Sequence, residues 1–408
     1  MAVGKSTFGQ MHPVAGFKLG TVAAGVKVVG RRDLVVMEIA AGSTVAGTFT
    51  KNAFCAAPVQ ICKQNLQKLK QPLTQAGYFI TNTGFANAGT GDKGYGDAQR
   101  VCETLAQKAS VDSAAVFPFS TGVIGEPLPV NAIVNGMDGC LAGLSEQGWE
   151  DAAHGIMTTD TRPKGASVVI ELDGKKVTLS GLSKGAGMIQ PNMATMLAYV
   201  ATDAAVEAGL LQQLAVEATQ MSFNSITVDS DTSTNDCCML VATGQSGVTI
   251  AEGDNLEKFK HALQQVYLQL AQAIIRDGEG ATKFVAIEVE QALSLEEARQ
   301  VAYTVANSPL VKTALFASDP NWGRVLAAVG RAGVVELDVN GVSVWINQVL
   351  IAENGGVAQG YREQAGAEAM KKEEISIRIG LGRGQSHTTV WTTDFSYDYV
   401  KINAEYRS

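Results

Sequence analysis

The arrangement of apolar and polar positions marks out many short elements. LVVMEIAAG (34–42) reads as a strand, and GYFITNTG (77–84) as a second strand that runs into a loop. Helical spacing follows over about 97–109, then a strand over AAVFPFS (114–120). SVVIELDGKKVTLSG (167–181) alternates on both sides of Asp173-Gly174, the strongest short turn signal, and predicts a hairpin. TMLAYVATDA (195–204) predicts a strand that opens on Thr195. It is followed by a helix near 206–223, the strand SITVD (225–229), the strand CCMLVAT (237–243) and a long helix over 255–276.

From about 284 the pattern shifts to a βαβ-like alternation. FVAIEVE is a strand, LEEARQVAYTVA a helix, and VVELDVNGVSVWI (334–346) a hairpin across Asn340-Gly341. The chain therefore reads as mixed α/β with a domain boundary near 284, and no internal repeat is evident.

Composition narrows the class. A chain of 408 residues can bury a large core, and its 46% hydrophobic content is too apolar for disorder. The 43 glycines lack a G-X-Y period, which points to tight turns and loop-borne sites. A net charge of −8 and the lack of a basic arm argue against nucleic-acid binding. MAVGKSTFGQMHP lacks the pattern of a secretory signal, and no apolar run is long enough to span a membrane. Six cysteines without a CxxC pair imply a reducing compartment, the cytoplasm, and adjacent Cys237 and Cys238 should face opposite sides of a strand.

Several motifs carry less than they promise. GTGDKG (89–94) is a formal GxGxxG and opens the reading of a nucleotide-binding oxidoreductase. In dinucleotide folds, however, the first glycine follows the strand directly, whereas TGFANAG (83–89) intervenes here and the helix starts late. DSDTSTND (229–236) resembles the start of a calcium loop but has Thr234 and Leu240 where Gly and Glu are needed. It reads better as a polar network near an active site. His12, His154, His261 and His387 show no metal spacing, and no G-x-S-x-G elbow is present.

The boundary between Ala194 and Thr195 raises a different chemistry. A threonine hydroxyl becomes a nucleophile when a base sits beside it, and the threonine's own α-amine can be that base. An internal threonine lacks this amine until the chain is cut before it, a cut its own hydroxyl can make by an N-to-O acyl shift. On residue chemistry alone, a β-branched residue opening a strand is the simpler account.

KGAGMIQPNMATMLAYVATD (184–203) closely resembles the signature of the ornithine acetyltransferase (glutamate N-acetyltransferase, ArgJ-type) family of arginine biosynthesis. STGVIGEPLP (120–129), MTTDT (157–161), DTSTNDC (231–237), RDGEGATK (276–283), NSPLVKTALFASDPNWGR (307–324) and YDYVKINAEYRS (397–408) resemble further family motifs, in family order. The resemblance implies a fold related to N-terminal-nucleophile hydrolases, an αββα core with a smaller C-terminal α/β domain. It implies self-cleavage between Ala194 and Thr195, giving an α chain of 1–194 and a β chain of 195–408, with Thr195 as nucleophile.

Carried over by position, Thr121 and Gly122 match the oxyanion hole, and Thr158, Lys184, Thr195, Glu279, Asn403 and Ser408 the substrate contacts. From charge, Lys184 suits an α-carboxylate and Glu279 an amino group. The family usually ends in Thr; Ser408 keeps the hydroxyl. The implied reaction moves acetyl from N-acetyl-L-ornithine to L-glutamate, with acetyl-CoA as a possible second donor, no bound cofactor or metal, and an α2β2 heterotetramer. The nearest rival is an aminopeptidase or amidase of related fold. The terminal YVKINAEYRS is expected to be strand-like.

Overall fold

The computed structural model describes residues 2–4, 8–190 and 196–406. Its first part contains strands β1 (Phe17–Val22), β2 (Leu34–Ile39), β3 (Thr44–Phe49), β4 (Gly77–Phe85), β5 (Val116–Val123), β6 (Lys164–Leu172), β7 (Lys175–Lys184), β8 (Leu197–Thr202), β9 (Ala205–Val206), β10 (Cys237–Ala242) and β11 (Thr249–Ile250). The helices of this part are α1 (Ala57–Lys68), α2 (Gly91–Ala109), α3 (Val130–Ala142), α4 (Trp149–Gly155), α5 (Ala208–Gln220) and α6 (Asp254–Arg276).

Two sheets, ordered β1-β2-β4-β5 and β3-β10-β8-β7-β6, stack face to face. The two-residue period of their strands sorts side chains into three cores. Val35, Met37, Phe79 and Phe119 of the first sheet meet Leu182, Tyr199, Met239 and Val241 of the second. Leu34, Val36, Ile80 and Val116 point the other way, onto Val101 and Leu105 of α2 and Ile133 and Met137 of α3. Leu179, Val200 and Leu240 leave the second sheet on its far side, toward Leu211 and Leu214 of α5 and Phe259, Val266 and Leu270 of α6. The result is the αββα layering expected. Each fully buried Leu or Phe in it contributes about 1.5–3 kcal/mol.

Cys237 lies in the middle core and Cys238 in the outer one, as their adjacency required. The β6–β7 hairpin also forms as read: Asp173 (φ 52°) and Gly174 (φ 72°) both take the left-handed conformation that a two-residue hairpin turn demands.

Residues after this stack build a fourth core. β12 (Phe284–Ala292) is followed by α7 (Leu295–Ala306), α8 (Pro309–Phe316), α9 (Trp322–Gly330), β13 (Ser343–Ile346), β14 (Val349–Glu353) and β15 (Gly356–Val357). α10 (Glu363–Met370), β16 (Glu374–Gly380), β17 (Ser386–Thr393) and α11 (Tyr397–Ala404) complete the chain. The sheet order is β15-β14-β13-β16-β12-β17, and Val285, Ile287, Val301, Val305, Ile377 and Ile379 fill its core.

Four expectations are corrected. Residues 225–229 are not a strand: Phe223–Ser225 is a 3-10 turn, and the backbone N–H groups of Thr227 and Val228 donate to Trp391 and Ile189 rather than to a ladder. Asn340-Gly341 belongs to a 3-10 turn whose Asn340 N–H is held by Asp338, so the hairpin forms one step later, between β13 and β14. Tyr397–Ala404 is a helix, with Ser396 accepting the N–H of Tyr399 as its cap. Finally, α2 begins at Gly91, inside GTGDKG, rather than near 97.

Candidate active site

A cavity of about 270 Å³ opens where the end of β5 in one sheet meets the end of β7 and the starts of β8 and β10 in the other. Its wall includes Thr121, Gly122, Thr158, Lys184, Glu279 and Asn403. These six site residues, named from five separate motifs, are brought together. Ala194, Thr195 and Ser408 lie outside the described residues. Their sequence neighbourhoods are represented at the wall by Met196 and Tyr406.

Local structure explains each placement. Gly122 (φ 133°) pairs with Gly84 across β4–β5, and a Cβ there would collide with the Gly84 backbone, so glycine is required. Lys184 is the last residue of β7, after which Gly185 (φ 149°) turns the chain along the cavity. Asp229 holds that turn, accepting the N–H groups of Met188 at 2.7 Å and Ile189 at 2.8 Å. Gln190 N–H donates to Asp231, and Ser233, Thr234, Asn235 and Asp236 line the wall. DSDTSTND is thus the polar network near the site that its sequence suggested. Glu279 follows α6; its N–H donates to Ala186 and its carboxylate accepts from Asn403 of α11 at 2.8 Å.

The charges are buried and paired. Lys184 Nζ donates to Thr158 Oγ1 at 2.7 Å and to Thr121 Oγ1 at 3.1 Å. Burial pushes its ammonium below the usual lysine value, and Asp160 pulls it back up. Asp160 accepts the N–H groups of Gly185 and Thr158, and Lys164 Nζ at 2.6 Å. Burial alone would raise its carboxyl, but Lys164 and then Lys184 hold it well below the carboxylate range. Lys164 also donates to Asp277, which in turn holds Thr161. Two lysines and two aspartates therefore balance one another behind the cavity.

Asp236 differs. Burial drives its carboxyl well above the usual range against the hydrogen bond from Ser233 and the charge of Lys184. One of its oxygens has no hydrogen-bond partner among the described residues.

Asp160, Lys164, Asp236 and Asp277 were not singled out from the sequence. Asp160, Asp236 and Asp277 fall inside quoted motifs, but Lys164 does not, and its contact with Asp277 across 113 residues leaves no local signal. GTGDKG stays away from the cavity wall. Among the described residues no group of His, Cys, Asp and Glu is placed to hold a metal, and no helix is long and apolar enough to cross a membrane.

Fold and site together define an αββα enzyme with a small polar cavity at the junction of its two sheets. Comparison with known proteins supplies the family. Residues 18–408 match the ArgJ family model. The chain is 56% identical over 411 residues to the arginine biosynthesis bifunctional protein ArgJ of Pseudomonas fluorescens, with both chains fully covered. It is 52% identical to that of Methylococcus capsulatus, covering 98% of this chain and 97% of the relative. A crystal structure of the Bacillus halodurans protein aligns at 36% identity with a TM-score of 0.49, over 50% of this chain and 97% of that one. The chain belongs to the ArgJ family and is an acyltransferase.

Proposed function

We propose that this enzyme transfers acetyl from N-acetyl-L-ornithine to L-glutamate through an acetyl-Thr195 intermediate. The observation that carries the reading is the convergence of Thr121, Gly122, Thr158, Lys184, Glu279 and Asn403 on one cavity whose wall also includes Met196, the residue after Thr195. The chain first cleaves itself between Ala194 and Thr195, giving an α chain of 1–194 and a β chain of 195–408, and the freed α-amine serves as base.

In the first half-reaction the Thr195 hydroxyl attacks the acetyl carbonyl. Its proton passes to the α-amine, and the tetrahedral oxyanion is met by Thr121 and the Gly122 N–H. The C–N bond breaks, ornithine leaves with that proton, and acetyl remains as an ester on Thr195. In the second, the glutamate amine attacks the ester, loses a proton to the base and restores the hydroxyl. Lys184 receives the α-carboxylate of either amino acid and Glu279 the ornithine ammonium, with Thr158, Asn403 and Ser408 as further contacts.

Acetyl-CoA serves as a second donor, no cofactor stays bound, the processed chains assemble as an α2β2 heterotetramer, and the enzyme works in the cytoplasm. Denaturing electrophoresis with N-terminal sequencing tests processing: two fragments are expected, one beginning TMLAYV, and Thr195→Ala should remain one chain. Acetylornithine turnover with and without glutamate tests the acceptor. Full turnover without glutamate would make the enzyme an amidase, and absence of an acetylated Thr195 peptide would exclude the covalent route.

A further inference from the structure

α11 presents a mechanical puzzle. It delivers Asn403 to the cavity, where its amide donates to Glu279, yet none of its described residues is buried. Its own packing is concentrated in its first turn, where half-buried Tyr399 rests against the adjoining core and Tyr397 meets Phe316 edge-on. Its position must be set at its N-terminal end, where the chain enters from β17.

That end converges on a buried lysine. Lys312 of α8 is 1% exposed and donates to Thr392 Oγ1 at 2.8 Å and to the Thr393 carbonyl. Its Nζ lies 4.6 Å from the ring centre of Phe395, and its carbonyl accepts the Phe395 N–H at 3.2 Å. Phe395 stacks on Tyr399 of α11 with centroids 4.7 Å apart. The Tyr399 carbonyl accepts from the Asn403 amide at 3.0 Å, and its hydroxyl donates to Asp229, which holds Met188 and Ile189 of the cavity wall. Next to this thread, Ser396 donates to Gly280, the neighbour of Glu279.

An ammonium this deeply buried is costly, and a methionine of similar length would serve a purely packing role with less desolvation. Asp394 does not need it as a hydrogen-bond partner, since Thr282 and Lys283 already donate to that carboxylate. What the Lys312 nitrogen alone supplies is a fixed point for residues 392–395, two N–H donors held beneath the Phe395 ring.

We propose that Lys312 is a positioning residue for substrate binding, acting through Phe395 and Tyr399 to hold Asn403 and Glu279 at the cavity. The proposal rests on the cavity being the substrate site. Lys312→Met should fold, keep kcat within about twofold and raise KM for acetylornithine and glutamate about tenfold, because the site is loosened while the reacting groups stay intact. Phe395→Leu, which removes the stack and leaves Lys312 in place, should raise KM in the same direction and decides the matter if Lys312→Met fails to fold. Steady-state kinetics with calorimetric titration of ornithine reads both variants. Wild-type KM in the folded variants, or a fall confined to kcat, overturns the relay alone. A wild-type protein that neither binds ornithine nor transfers acetyl overturns the substrate-site reading, and the proposal with it.

Discussion

Asp160 and Gly185 are joined by a 2.7 Å hydrogen bond from the Gly185 N–H to the carboxylate, which ties the loop after α4 to the turn that follows Lys184. The other oxygen of Asp160 accepts the Thr158 N–H at 2.9 Å. One buried carboxylate thus sets the spacing between two walls of the cavity and faces two lysines.

Asp160→Asn removes the charge and turns one acceptor into a donor among donors. Stability should fall by about 3–5 kcal/mol, as for other buried pairs that lose one partner, measured by urea unfolding at pH 7. The folded carboxyl is held low, so its stabilisation is fully present above the unfolded value of 3.8 and is lost as pH falls toward the folded value. The gap between variant and wild type should therefore shrink in acid. Lys184, without Asp160 to hold up its charge, should lose its proton at lower pH, and KM for glutamate should begin its alkaline rise earlier.

Thr121 and Lys184 should separate chemistry from binding. The Thr121 oxygen accepts from Lys184, which leaves its own proton free to donate into the cavity. Thr121→Ala should lower kcat by about 100- to 1,000-fold with little change in KM, the usual loss for one oxyanion donor. Lys184→Met should mainly raise KM. Rates must be expressed per cleaved molecule, and wild-type KM in cleaved Lys184→Met would remove Lys184 as the carboxylate partner.

Gly187→Ala should act through Glu279. A Cβ at Gly187 meets the Glu279 carboxylate, the far end of a flexible side chain, so the fold survives while the carboxylate moves away from Asn403. KM for acetylornithine should rise about tenfold, with an unchanged melting temperature as the control.

Lys312 should leave a signature in stability as well as in kinetics. Burial lowers its ammonium from 10.5 to about 7, against the opposing charges of Asp394 and Asp229. Between those values the unfolded chain binds the proton and the folded chain does not, so folding gains stability as pH rises through this window. Wild type should gain on Lys312→Met by up to about 1.4 kcal/mol per pH unit. Paired denaturation curves at pH 7, 8 and 9 measure this, and parallel behaviour of the two proteins would contradict it.

Legibility in the sequence followed the range of the deciding interaction. Asp173-Gly174 fixes its hairpin within four residues, and β2 and β4 declare themselves by apolar runs alone. SITVD has strand composition, but its N–H groups go to Ile189 and Trp391, far away in the chain. The Asn340-Gly341 signal was real as a turn. Asp338 captured it locally, and β16 chose which residues beyond it would pair. The tail beginning at Tyr397 looked like a strand because it lacks an apolar helical stripe, and it is a helix without a buried face. At the site, motif positions indicated the six residues at the wall, whereas the Lys164–Asp277 contact depends on folding alone.

The order of the second sheet has one further consequence. β8 and β10 follow residue 196 but lie between β3 and β7, which precede residue 190, and six residue pairs join β7 to β8 while six more join β3 to β10. A backbone break between Lys184 and Leu197 would therefore divide the polypeptide without dividing the sheet. Each piece would lack the neighbours that satisfy its own strands, so neither is a self-sufficient folding unit. Encoded as two genes and expressed together, the pieces should reconstitute the sheet by fragment complementation; expressed singly, each should aggregate along its bare strand edges.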